Sequence, residues 1–304
     1  GWADLSQGTV TFRADAGGNF AEGITIWTGF GADTIQIDGT HYRAGFRTVT
    51  TLNTGLGSDT VYVNLDEGND GFFVLNAQGP WNDYPEIGDK DNVYATGDDD
   101  RFGGVFESTL PLIIFGGQDD DHLVSGAAGD IVFGDRGRVL YFDETASWVE
   151  GMNLPDLEDA AVTVLGHGGP GDRTDGVRRD AGGIFSVDPT VGGNDEVIAQ
   201  KDRDIVFGGP GQDVLDAKAE DTADDILMGD SGAAVFIDAV LTEIWTIAPS
   251  QGDDDIITGG KGANIILGGS GRDTITAGGD ASPDIVLGDN GKALFDPVAG
   301  WLVR

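Results

Sequence analysis

The chain has 304 residues with 51 Gly, 10 Pro and no Cys, so no disulfide framework or thiolate metal site can hold it together, and glycines without a three-residue period are not collagenous. Asp and Glu number 53 against 17 Lys and Arg, a formal charge of -36 that disfavours nucleic acid and anionic membranes and favours cations. Hydrophobic residues make up 39% in short β-branched runs, none near the roughly 18 needed to span a bilayer, which excludes a disordered acidic tail and membrane insertion; the start at Gly1, without Met or a signal-like segment, reads as a piece of a longer product.

Along the chain the dominant feature is self-similarity. Residues 28–36 (Asp33, Ile35) and 54–62 (Asp59, Val61) share T-G-x-G-x-D-T-[IV] at a spacing of 26, which implies either large coils of one solenoid or a separate β sandwich with metal-holding turns. Residues 66–100, with Asp98, Asp99 and Asp100 in a row, read as an acidic loop able to take an ion. Nine-residue units follow at 116–124 (Asp121, Leu123) and 125–133 (Asp130, Val132). Residues 150–195, rich in Gly, Asp and Arg, read as an insertion, with 155–162 the one modest helix candidate. The grid resumes at 199–207 (Asp204, Val206) and 208–216 (Asp213, Leu215), then runs in tandem over 250–276 through Asp255, Asn264 and Asp273, paired with Ile257, Ile266 and Ile275. Residues 208–216 and 268–276 both fit G-G-x-G-x-D-x-U-x, where U is a large aliphatic.

A longer module lies on this grid. The pattern D-I-[VL]-x-G-D-x-G occurs with Asp130 and Asp135, with Asp225 and Asp230, and with Asp284 and Asp289; Trp148, Trp245 and Trp301 follow the three copies. Each tail reads as a β-hairpin leaving the roll, over 139–142 with 148–149, 234–237 with 244–247, and 293–295 with 301–303. Such hairpins are expected to cover a flank and to present the tryptophans for packing, or for contact with glycans or protein.

Glycines allow the positive φ of tight stacked turns, x-U-x makes a short strand whose U side chain enters a narrow apolar core while its neighbours point out, and position six supplies a carboxylate beside exposed carbonyls. An isolated Asp would merely cap its own turn. Aspartates in register on stacked turns repel one another, so the arrangement calls for Ca²⁺, which takes six to eight oxygens in flexible geometry, rather than Mg²⁺. Neutralising -36 by charge alone takes roughly 18 divalent ions, so about a dozen sites fit this chain.

These nonapeptides resemble the RTX (repeats-in-toxin) calcium-binding β-roll family, loosely over 24–62 and well over 112–296. The resemblance implies an all-β, right-handed parallel roll with two nonapeptides per coil and a row of Ca²⁺ on each side. It implies Asp204, Asp213, Asp255 and Asp273 as the foremost ligands, then Asp33, Asp59, Asp121 and Asp130; Asp135, Asp225, Asp230, Asp284 and Asp289 join them from the longer module. The sequence departs from the pattern at Asn264, an uncharged ligand, and at Asp119 and Ala128, which replace the fourth-position Gly. The resemblance also implies export unfolded from a low-calcium cytosol and folding outside the cell. The expected organisation is an N-terminal β region over 1–111 and a three-module roll over 112–304, with modules near 112–150, 199–248 and 250–304 and the insertion between.

No catalytic constellation stands out. Gly229-Asp230-Ser231-Gly232 resembles the surroundings of a serine nucleophile, yet Arg136 and Asn290 fill the same slot in the sister modules, and His41, His122 and His167 lie in no motif that serves it. H-E-x-x-H, G-x-S-x-G and Walker motifs are missing, and acidic abundance makes any one carboxylate pair uninformative for glycoside hydrolysis. The expectation is a non-enzymatic calcium-binding structural or adhesive segment of a secreted or surface protein, able to stack with copies of itself or to meet glycans and matrix. The alternative is the export and folding domain of a secreted enzyme or toxin.

Overall fold

The computed structural model describes residues 20, 23–43, 46–77, 90–99, 103–142, 161–164, 180–296, 298 and 303. The short apolar runs stack into two parallel sheets. The first holds nine strands in the order β1 (Ile24–Phe30), β5 (Val49–Leu56), β7 (Phe72–Asn76), β11 (Leu112–Phe115), β13 (Ile131–Phe133), β18 (Ile205–Phe207), β20 (Ile226–Met228), β24 (Ile265–Leu267) and β26 (Ile285–Leu287). The second holds eight: β2 (Thr34–Ile37), β6 (Thr60–Val63), β8 (Asn92–Tyr94), β12 (His122–Val124), β17 (Glu196–Ala199), β19 (Val214–Ala217), β23 (Ile256–Thr258) and β25 (Thr274–Thr276). The chain alternates between them, one strand of each per coil, as a parallel β-roll. β7 pairs with β11, so the coils before residue 111 stack on those after it and belong to the same solenoid rather than to a separate sandwich.

A third, antiparallel sheet lies over the first, in the order β15 (Ala161–Val164), β14 (Gly137–Phe142), β16 (Gly183–Ser186), β21 (Gly232–Ile237), β22 (Val240–Thr246) and β27 (Lys292–Leu294). Two small hairpins complete the described strands, β3 (Tyr42–Arg43) with β4 (Phe46–Arg47), and β9 (Thr96–Asp99) with β10 (Gly104–Glu107). The expected hairpins therefore fuse into one layer. β21 and β22 form a hairpin where one was expected, whereas β14 pairs with β15 and β16; residues 148–149 lie outside the described residues, as do Trp148 and Trp301. No helix forms among the described residues. The last two residues of the helix candidate, Ala161 and Val162, belong to β15, where Val162 and Val164 suit a strand; the rest of it lies outside the described residues.

Two apolar layers result. Val61, Val93, Leu123, Val197, Leu215 and Ile257 of the second sheet meet Leu52, Leu75, Ile114, Val132, Val206, Leu227 and Ile266 of the first, filling the roll interior from the U positions. The expectation that the neighbours of U face solvent holds for the second sheet, the buried Val124 excepted, and fails for the first. There, Phe133, Phe207, Met228 and Leu267 point into a second core shared with Val139, Ile184, Ala234 and Ile244 of the third sheet. Phe115, Phe133 and Phe207 stack along this core with ring centroids 5.2 and 5.0 Å apart.

Candidate metal sites along the two edges of the roll

Each coil turns twice; every described turn on one edge, and from β13 onward the turns on the other with Asn264 standing in before β24, ends in an aspartate just before the next strand. On the edge leading from the first sheet to the second, these aspartates join in one row. The backbone N–H of Asp33 donates to Oδ1 of Asp59 at 2.7 Å, Asp59 to Asp91 at 2.6 Å, Asp91 to Asp121 at 2.8 Å and Asp121 to Asp195 at 2.7 Å. Asp195 then donates to Asp213 at 2.8 Å, Asp213 to Asp255 at 2.8 Å and Asp255 to Asp273 at 3.1 Å. The opposite edge repeats the device: Leu112 to Asp130 and Asp130 to Asp204, both at 2.7 Å, Asp204 to Asp225 at 2.9 Å, Asp225 to Asn264 and Asn264 to Asp284, both at 3.0 Å.

One oxygen of each carboxylate is thus committed to the coil before it. The other oxygen, Oδ2, turns into the turn, and in Asp195, Asp213, Asp225, Asp255 and Asp273 it is buried and accepts no hydrogen bond. Carbonyl oxygens face the same spaces. A Cβ on Gly134 would overlap Asp195 Oδ2 and meet Gly208 O; on Gly208 it would overlap Asp213 Oδ2 and Gly229 O; Gly229 stands so to Asp255 and Gly268, and Gly268 to Asp273 and Gly288. Glycine is required there because carboxylate and carbonyl crowd the place of a side chain. Gly209 (φ 119°) and Gly211 (φ 150°) supply the left-handed backbone of the G-G-x-G turn. Asp119, standing for the fourth Gly, adopts φ 69° and keeps the turn at some strain.

Without a cation these carboxyls are held far from their ordinary behaviour. Burial, before any other cause, pushes Asp130, Asp195, Asp225 and Asp230 up to about 7 and Asp255 to about 8. Asp135, Asp204 and Asp213 are raised well above the usual carboxylate range, again by burial first and then by neighbouring aspartates. Among the described residues no three acidic or histidine side chains converge on one point. An ion here must draw on backbone carbonyls as well as carboxylates, the donor set of a hard cation with many oxygen ligands, so the residues fit Ca²⁺.

The edges differ in detail. Asp130 gives both oxygens to backbone amides, of Leu112 and Gly126, and Asp204 Oδ2 accepts the Ser125 hydroxyl at 3.2 Å, so in this geometry both act as turn formers. Asn264 accepts the Asp225 amide as an aspartate would and lacks only the second anionic oxygen. Asp33 lies at the start of its row, and Asp289 is exposed beside Asp273. Asp135 and Asp230 stand in the exit turns that lead to the third sheet. Four buried aspartates escaped the sequence reading: Asp91 and Asp195, hidden in the stretches taken as acidic loop and insertion, Asp70 in the same acidic stretch, and Asp221, on a turn without glycine. Asp91 and Asp195 carried a legible sign, an Asp two residues before an aliphatic, in Asp91-Asn-Val93 and Asp195-Glu-Val197. In the Asp98–Asp100 run, Asp98 and Asp99 lie in β9, and Asp100 is outside the described residues. His41 pairs with Thr48 and His122 with Glu196.

The family model of the RTX calcium-binding nonapeptide repeat (4 copies) matches residues 113–138, 190–222 and 251–282. These stretches are RTX repeats. No curated protein and no solved structure matches the chain. The RTX repeats carry the second half of the carboxylate row, and the coils from Ile24 to Asn76 extend the same row outside the matched stretches. The chain accordingly carries calcium-binding RTX repeats over these stretches, set in a parallel β-roll that continues beyond them.

Proposed function

We propose that this chain is a calcium-rigidified structural or adhesive segment of a secreted or cell-surface protein, and not an enzyme. The observation that carries this is the carboxylate row itself: it spends the acidic side chains on holding coil to coil along the roll, from Asp33 to Asp273. Calcium folds such a segment, because the ion-free edges are lines of buried, mutually repelling carboxylates. Val286, in register with Leu227 and Ile266, is 45% exposed on β26, and β26 has no further strand beside it among the described residues. An apolar strand edge of this kind favours continuation of the stack, by a further coil or by another copy into fibres or arrays.

A calcium titration followed by circular dichroism and sedimentation velocity, with magnesium as control, tests this. Calcium alone should produce a cooperative gain of β structure, and the loaded chain should sediment faster as its concentration rises. A loaded chain that stays monomeric at every concentration returns the balance to an export and folding domain serving a catalytic part elsewhere. A chain equally folded in excess chelator overturns the calcium role.

A further inference from the structure

Two internal excursions leave and re-enter the roll on the same edge, and a matched pair of aspartates closes each mouth. Asp135 stands on the way out to β14, and Asp195 on the way back into β17. Asp230 and Asp255 hold the same two places around the β21–β22 hairpin. The outgoing carboxylate already grips returning or neighbouring backbone: Asp135 Oδ1 accepts the Gly193 amide at 3.0 Å, and Asp230 Oδ2 accepts the Ser270 amide of the next coil. A Cβ on Gly192 or Gly209 would overlap Asp135, and one on Gly252 or Gly269 would overlap Asp230, so backbone closes tightly on both carboxylates.

All four aspartates are buried, Asp135 and Asp230 at 2% exposure, Asp195 and Asp255 at 1%. Each keeps one oxygen that accepts no hydrogen bond: Oδ2 in Asp135, Asp195 and Asp255, Oδ1 in Asp230. Within each pair the two charges act against one another. A buried carboxylate oxygen without a donor is costly, and a pair of them at a chain crossing pushes that crossing open unless a cation lies between. Carbonyls stand ready to complete a shell, since Asp195 Oδ2 lies beside Gly208 O at the first mouth and Asp255 Oδ2 beside Gly268 O at the second.

We propose that one Ca²⁺ bridges Asp135 to Asp195 and another bridges Asp230 to Asp255, and that these two ions clamp the third sheet onto the roll. The clamp rests on the calcium role proposed above and adds to it: ions at the mouths decide whether the second core is covered, while ions at the other turns hold coil to coil. Asp289, the outgoing aspartate of the last module, is exposed and has no such clamp.

The test is hydrogen exchange read by mass spectrometry on the full chain across a calcium titration, for the wild type, Asp135→Asn, Asp230→Asn and Asp225→Asn. Asparagine keeps the amide-accepting oxygen, and Asp225 serves as the control on the opposite edge. At subsaturating calcium, D135N should speed exchange in 137–142 and 183–186, and D230N in 232–246, by about tenfold or more, while 205–207 and 265–267 stay protected. Unchanged exchange of the third sheet in both variants, or an equal opening in D225N, overturns the clamp. Should a variant not fold, the wild-type titration decides: third-sheet protection lost with that of 191–195 and 251–255 at calcium levels where 205–207 and 265–267 keep theirs sustains the clamp, and third-sheet protection that persists in chelator, or that is lost only together with 205–207 and 265–267, overturns it. If calcium protects no peptide anywhere in the wild type, the calcium role itself falls.

Discussion

At the scale of single residues, the aspartates do two separable jobs. In Asp213 and its like, one oxygen accepts the amide of the preceding coil and the other is buried without a donor, where it would meet an ion. Asp213→Asn keeps the first job and loses the second, whereas Asp213→Ala loses both. In chelator, D213N should melt higher than the wild type, because a buried repelled charge is gone, and D213A lower, by about 1–3 kcal/mol for the orphaned Asp195 amide; in calcium both should fall below the wild type in thermal melts. Asn264→Asp runs the experiment backwards. It should raise the number of calcium ions held in equilibrium dialysis and lower the melting temperature in chelator.

The same residues fix a pH dependence. Carboxyls raised to about 7 and 8 bind protons in the folded, ion-free roll that the unfolded chain, near 3.8, has already released. Their stability contribution is therefore intact below about pH 4 and is lost as pH rises through 7 and 8. In calcium-free buffer, circular dichroism should show more β structure at pH 4.5 than at pH 8, and calcium added near pH 7 should release protons into the buffer. A flat calcium-free profile would mean that these carboxyls titrate normally.

At the scale of elements, coil length varies while the edge rows keep step. Successive residues of the second row lie 18, 74, 21, 39 and 20 positions apart, and the surplus in the long steps is the excursions into the third sheet. The G-D-x-G motif is where each excursion starts, and its last glycine is dictated by close approach: a Cβ on Gly137 would overlap the Phe133 ring, as one on Gly232 would overlap Met228. Gly137→Ala should cost more stability than Gly232→Ala in calcium-loaded melts, since the stacked Phe133 ring cannot yield as a methionine can. The strands and most turn aspartates were legible in the nine-residue grid. The covering layer was not. A single sequence shows that Ile-Val-Phe and Ile-Leu-Met are apolar throughout, unlike Thr-Ile-Thr, but the reason appears only when a third sheet lies on their outer side. Asp195 was missed for a local reason: in Thr190-Val191-Gly192-Gly193-Asn194-Asp195 the fourth-position Gly193 is kept, but Thr190 and Val191 replace the opening Gly-Gly, so the turn does not announce itself, although its aspartate stands in the row.

At the scale of the whole molecule, both parallel sheets run unbroken from the first described coil to the last, so each coil rests on its neighbours and stability spreads along the stack. Calorimetry in calcium should show a single transition covering the coils on both sides of residue 111. Two transitions would mark a folding boundary there, where the sequence alone had placed one.

The amide-to-carboxylate row also has a compass direction. Every described link in it runs from a donor earlier in the chain to an acceptor later, which gives the roll two unlike directions: toward Asp33 the row is continued by an amide, and toward Asp273 and Asp284 by a carboxylate. Anything that lengthens the roll, further chain or another molecule, must respect that sense. Two copies joined end to end through this row can meet only head to tail, a contact that does not close on itself and adds the next copy as readily as the first.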